Sequence, residues 1–183
     1  ILHGDIHTAN QKLAGLESRD QAKTFIYAFL YGAGDAKLGT IVGGNARTGS
    51  ALRARFLTGL PALRSLTERV AAKAGAGCLK GLDGRWLQVR SAHSALNTLL
   101  QGAGAIVMKK ALVILDEYAQ GYKLDYNFVG NIHDEVQAEV TKGQEDQYGR
   151  LAVSCIEAAG LHYNLRCPLT GEYNVGSNWS ETH

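Results

Sequence analysis

The segment RDQAKTFIYAFLYG, residues 19–32, admits little besides an amphipathic α-helix that stops at its final glycine. Phe25, Ile26, Phe29 and Leu30 fall at helical spacing and demand a core to cover them. Arg19, Lys23, Tyr27 and Tyr31 recur every fourth residue and drift only about 40° around the axis at each step, so the first three share a face. Ser18 supplies an N-cap, and Gly32 and Gly34 end the helix.

Two weaker helices are expected around residues 36–42 and 48–58, and Pro61 opens another over 62–74 that Gly75 and Gly77 close. CLKGLDGRWLQVRS, residues 78–91, reads as a hairpin turning at Asp83-Gly84. A long helix follows over 95–119. LDYNFVGNIHDEVQAEV, residues 124–140, then holds two extended runs that meet near His133-Asp134. A helix over 144–159 and a short tail finish the chain. The polar opening stretch HGDIHTANQKLAG, residues 3–15, receives no element and reads as a lead into the first helix. The pattern is α+β, a helical lobe over 1–90 followed by an antiparallel α+β lobe over 91–183.

Composition narrows the class. A chain of 183 residues with 45% hydrophobic and 20% charged residues can bury one core or two small ones and is not disordered. A net charge of +2 does not by itself point to nucleic acid, so that case rests on where the cations sit. Cys78, Cys155 and Cys167 lack metal-ligand spacing and read as reduced thiols of a cytoplasmic protein. The apolar run 95–115 is interrupted by Gln101, Lys109 and Lys110, which favours a buried helix over a membrane span. There is no secretory signal, and the chain does not begin with Met, which suggests a fragment.

Three groupings can carry chemistry. Arg19 and Lys23 lie near a helix start, where the dipole also favours anions, and Tyr27 stands about 12 Å further on, the reach of a triphosphate plus its sugar. A solvated cationic edge with rim tyrosines would show the same spacing. His93, Asn97 and Gln101 form a polar stripe along the long helix, which buried amides satisfied by backbone would also produce. His133-Asp134-Glu135 sits where two strands meet, as a polar turn or as carboxylates for a divalent ion. His3, Asp5 and His7 alternate and on a strand would share a face, but the motif lacks a ligand spacing that marks a metal site.

Taken in order, GDIHT, RDQAKTFIYAFLYG, LNTLLQGAGA and IHDE resemble the motifs of family A DNA polymerases, the Pol I-like enzymes. KGLDGR, RSAHSALNTLLQ and the terminal GSNW resemble the replicative branch from short-tailed coliphages, and the resemblance runs from His3 to His183. It implies a helical fingers lobe followed by part of the antiparallel palm sheet of a right-hand polymerase. It further implies that Lys23 binds the incoming triphosphate and protonates the leaving pyrophosphate, with His7 and Arg19 on the outer phosphates. Tyr27 would pack at the sugar, where tyrosine resembles enzymes that tolerate dideoxynucleotides, and Tyr31 would stack at the templating position. Asp134 would be the metal ligand, with Glu135 supporting it and His133 at the primer terminus. Arg90, His93, Asn97 and Gln101 would meet the minor groove of the primer-template, where hydrogen-bond acceptors occupy similar positions in every base pair.

The resemblance implies two Mg²⁺ ions, dNTP and primer-template DNA as ligands, and a phage-encoded enzyme at work in the host cytoplasm. The family's first catalytic aspartate lies on a strand expected before residue 1. Asp125-Tyr126-Asn127 looks similar to that motif but falls at the wrong place in the order. The chain is therefore expected to be the fingers and distal palm of a DNA-directed DNA polymerase. It would be inactive by itself, would be completed in cis or trans by an N-terminal portion, and would leave a sheet edge unpaired. A non-catalytic nucleotide- or DNA-binding module derived from such an enzyme is the alternative. A carboxylate-metal nuclease is disfavoured because there is one clear carboxylate motif.

Overall fold

A computed structural model describes residues 4–132 and 134–182. Cα proximity divides the chain into two compact units, Ile1–Gly81 with Arg85–Leu100 and Leu82–Gly84 with Gln101–His183.

The first unit is mostly helical: α1 (Ile6–Ala14), α2 (Arg19–Leu30), α3 (Asp35–Thr40), α4 (Ala46–Gly59) and α5 (Pro61–Ala74). β1 (Cys78–Lys80) and β2 (Trp86–Gln88) pair antiparallel with Leu79 opposite Leu87, and Gly84 takes φ 84° in the turn, as the Asp-Gly signal predicts. A 3₁₀ turn (Ala92–Ser94) then leads into α6 (Ala95–Gly121).

The apolar side of α2 builds this core. Phe25 and Phe29 meet Phe56 of α4 edge to face, with ring centroids 5.2 and 5.6 Å apart. Leu38 of α3 and Leu52 of α4 close around them. Each ring removed from water contributes about 1.5–3 kcal/mol. Arg53 fastens the end of α2 to its neighbours: its Nε donates to Asp35 at 2.7 Å, its Nη2 to the Ala33 carbonyl at 2.6 Å, and its guanidinium lies 5.5 Å from the Phe29 ring centre.

The opening stretch is a helix, not the irregular lead the sequence suggested. Asp5 caps α1 by accepting from the His7 N–H at 3.1 Å, and Gly15 ends it in the left-handed region at φ 64°. Few apolar residues mark this helix, and it exists because Asn10 and Ala14 are buried in its packing on α2 and α4. His7 lies inside a helix and Asp5 is its cap, so these two do not alternate along an extended strand. His3 lies outside the described residues.

In the second unit β3 (Tyr126–Ile132) and β4 (Glu135–Val140) pair antiparallel, flanked by α7 (Glu145–His162), with α8 (Trp179–Thr182) in the tail. Ile132 faces Glu135 at the end of the pair, and a register shift between Phe128 and Gly130 leaves Val129 as an unpaired bulge. The core here comes from a stripe of α6 (Val107, Ala111, Ile114, Leu115, Ala119) against Tyr148, Cys155 and Ala159 of α7.

That stripe corrects the expectation of a buried helix. Val113 and Tyr118 on α6 are 50% and 54% exposed, because the elements of this unit cover a single side of it. Segment Ala92–Gly121 is long and apolar enough to cross a membrane by length and composition, with only 22% of its apolar window buried.

Candidate functional site

Ser18 starts α2 as expected, accepting from the Gln21 N–H at 3.1 Å, while the Gln21 side chain accepts from the Glu17 N–H at 3.1 Å. This cap sets the phase of everything after it. With Ala22, Phe25 and Phe29 turned inward, Arg19, Lys23, Tyr27 and Tyr31 are left at the surface. Tyr27 and Tyr31 are 50% and 57% exposed, an unusual amount for aromatic rings on a helix that buries two phenylalanines.

The neighbouring α1 adds to the same surface. The His7 ring lies 6.3 Å from that of Tyr27, tilted by 47°. His7 Nδ1 is buried and has no hydrogen-bond partner among the described residues. Asp5, at the head of α1, accepts from Arg19 Nε at 2.6 Å and Nη2 at 3.2 Å. It also accepts from Thr8 Oγ1 at 2.6 Å. The Arg19 hydrogen bond, then that of Thr8, hold the Asp5 carboxyl well below the usual carboxylate range, and Asp5 in turn pushes Arg19 upward. The sequence pattern gives Asp5 no role in the site, although Asp is among the residues that favour a helix N-cap.

The proposed DNA-facing residues of this unit fall on the segment after the hairpin. Arg90 and His93 are exposed and Asn97 is half-buried. His93 belongs to the 3₁₀ turn rather than to the long helix, so only Asn97 and Gln101 are spaced along α6 itself. Gly32, at φ 80°, passes against the same turn: a β-carbon there would meet the His93 carbonyl oxygen at 2.1 Å.

In the second unit Asp134 stands exposed in a turn immediately before β4. Glu135, the first residue of β4, accepts hydrogen bonds from Gln137 and from Trp179 Nε1, the latter at 3.2 Å. Thr182 reaches Gln137 at 3.2 Å, so α8 braces the strand that carries Glu135. His133 lies outside the described residues. Hard oxygen donors at a turn suit Mg²⁺, which takes one or two carboxylates and shares substrate phosphates. No group of three or more candidate metal ligands occurs among the described residues. Asp125, Tyr126 and Asn127 serve the hairpin: Thr141 Oγ1 donates to Asp125 at 2.5 Å, and the Tyr126 hydroxyl donates to Asp116 at 2.6 Å.

Comparison with known proteins agrees with the motif order. Residues 3–181 match DNA polymerase family A. The chain is 47% identical over 190 residues to a DNA-directed DNA polymerase of Escherichia phage Phieco32, covering 100% of this chain and 31% of that protein. It is 39% identical over 208 residues to the DNA-directed DNA polymerase of Escherichia phage T7, covering 100% of this chain and 29% of that one. The chain thus spans about three-tenths of the length of these relatives. The fold is similar to the POL domain of Pol1 from M. smegmatis, solved in complex with DNA primer-template and dNTP, at a TM-score of 0.76 and 18% identity, over 86% of this chain and 32% of that one. With four motifs in order and a match along nearly its whole length, the chain belongs to DNA polymerase family A.

Proposed function

We propose that this chain is the fingers and distal palm of a phage DNA-directed DNA polymerase that adds dNTPs to a primer 3′-hydroxyl in the host cytoplasm. The observation that carries the reading is the two-sidedness of α2, whose Phe25 and Phe29 are locked in the core while Arg19, Lys23 and Tyr27 are presented together at the surface. Two long cationic side chains one turn apart can converge on a triphosphate from the same helix face, and an exposed ring beyond them meets the sugar. Lys23, which is exposed and has no partner among the described residues, would bind the triphosphate and give a proton from Nζ to the departing pyrophosphate. His7 and Arg19 hold the outer phosphates, and Tyr31 stacks at the templating position.

Asp134 would hold the divalent ion, with Glu135 kept in place by Gln137 and Trp179 and His133 at the primer terminus. Bound Mg²⁺ would offset charge on the phosphate oxygens as they transfer. A second carboxylate would come from a polymerase portion outside these residues. Arg90, His93, Asn97 and Gln101 would follow the primer-template along its minor groove.

The test is primer extension with Mg²⁺ and dNTPs, comparing this chain alone with the chain joined to, or mixed with, the portion that precedes it in its relatives. Extension only in the second case, lowered at least about a hundredfold by Asp134→Asn, is expected. Binding of dNTP or DNA with no extension in either case would favour a non-catalytic binding module.

A further inference from the structure

We infer that Asp5 is a positioning residue for the triphosphate, orienting Arg19 and His7 together from one carboxylate; the inference rests on the polymerase reading above. Three groups converge on this side chain. Its oxygens accept from the His7 backbone N–H at 3.1 Å, from Thr8 Oγ1 at 2.6 Å, and from Arg19 Nε and Nη2 at 2.6 and 3.2 Å. The first two fix Asp5 at the head of α1. The last two seize Arg19 across a separation of 14 residues.

Geometry separates this from an ordinary surface ion pair. An exposed pair between flexible side chains contributes almost nothing to stability, and with side-chain exposures of 54% and 38% this one would be no exception. Here the acceptor is itself held by a helix cap and a hydroxyl, so the guanidinium is gripped along one edge by a fixed carboxylate. Arginine has five N–H donors in a rigid fork. Asp5 occupies the Nε edge, and Nη1 has no partner among the described residues. Arg19 is therefore ordered yet retains donors for a phosphate. The same carboxylate anchors the first turn of α1, which carries the His7 ring to 6.3 Å from Tyr27. One acidic side chain thus aligns residues from two helices on the surface proposed for the triphosphate. An acid beside an anion site would repel the ligand if it faced the ligand directly. Spent on Arg19, Thr8 and a helix N-terminus, its charge is largely offset.

The experiment is a double-mutant cycle in the complete polymerase carrying this chain, with single-nucleotide incorporation of dATP on a primed template. Asn caps helices as well as Asp, so Asp5→Asn keeps α1 while losing the charged grip on Arg19. It is expected to raise the KM for dATP roughly fivefold to tenfold, with a much smaller change in kcat. In an Arg19→Ala background the same change is expected to have no further effect on KM. Additive effects in the two backgrounds would mean that Asp5 does not act through Arg19, and a lowered KM would mean that Asp5 competes with the phosphates. Either result overturns the inference. Failure of the parent enzyme to extend a primer would remove the polymerase reading and this inference with it, whereas normal extension with an unaltered KM in Asp5→Asn would remove this inference alone.

Discussion

Gly32 and His93 touch through their backbones: a β-carbon at position 32 would lie 2.1 Å from the His93 carbonyl oxygen. The glycine also takes φ 80°, so two independent constraints fall on one residue. Gly32→Ala is expected to destabilise the first unit by at least about 2 kcal/mol through backbone strain and overpacking. Urea unfolding followed by circular dichroism measures it, and a midpoint equal to that of the parent would contradict the close approach.

Lys23 is exposed on α2, one turn beyond Arg19, and carries nothing in the core. Lys23→Ala in the complete polymerase is expected to slow single-turnover dNTP incorporation at least about a hundredfold. Primer-template affinity, read by fluorescence anisotropy, is expected to stay within about twofold, since the proposed contact is with the triphosphate alone. Equal loss of both properties would contradict the role given to Lys23.

Tyr27 offers a test that does not depend on folding, because its ring is 50% exposed. Tyr27→Phe removes one hydroxyl and is expected to lower the efficiency of dideoxynucleotide use relative to dNTP use by at least about threefold, the worth of one hydrogen bond. The ratio of the two kcat/KM values measures it. An unchanged ratio would remove Tyr27 from the sugar.

Tyr126 sets a pH limit on the second unit. Burial first, then its hydrogen bond to Asp116, push its phenol up to about 12 from an ordinary value of 10.0. The unfolded chain therefore releases this proton at lower pH than the folded one. Stability associated with Tyr126 is fully present below about pH 10 and falls as pH rises towards 12. Tyr126→Phe, which also loses the bond to Asp116, is expected to be less stable than the parent at pH 8 by about 1 kcal/mol. The gap should narrow between pH 9 and 11.5 in urea titrations. A gap independent of pH would show that Tyr126 titrates normally.

Much of the local structure was legible in advance. Ser18, the Phe25–Phe29 spacing and Gly32 defined α2 to within a residue. Pro61 marked the start of α5, and Asp83-Gly84 the turn of the first hairpin. The pattern of the 124–140 run predicts two strands meeting near His133-Asp134, and β3 ends at Ile132 while β4 begins at Glu135. Helix α1 was not legible, because its few apolar side chains give no clear period and its support comes from α2 and α4.

By itself, the sequence determined what depends on neighbours within a turn or two of chain: which segments are helical, where caps and glycines end them, and which face of α2 is apolar. The order of four motifs also carried the family. Only the tertiary structure decided that Asp5 grips Arg19 across 14 residues, that Gly32 must pass the His93 carbonyl, and that α6 buries one stripe instead of its whole surface. Caps and periodicity act over distances the chain itself fixes, whereas these relationships arise when packing brings distant segments within ångströms, and no local pattern records that approach.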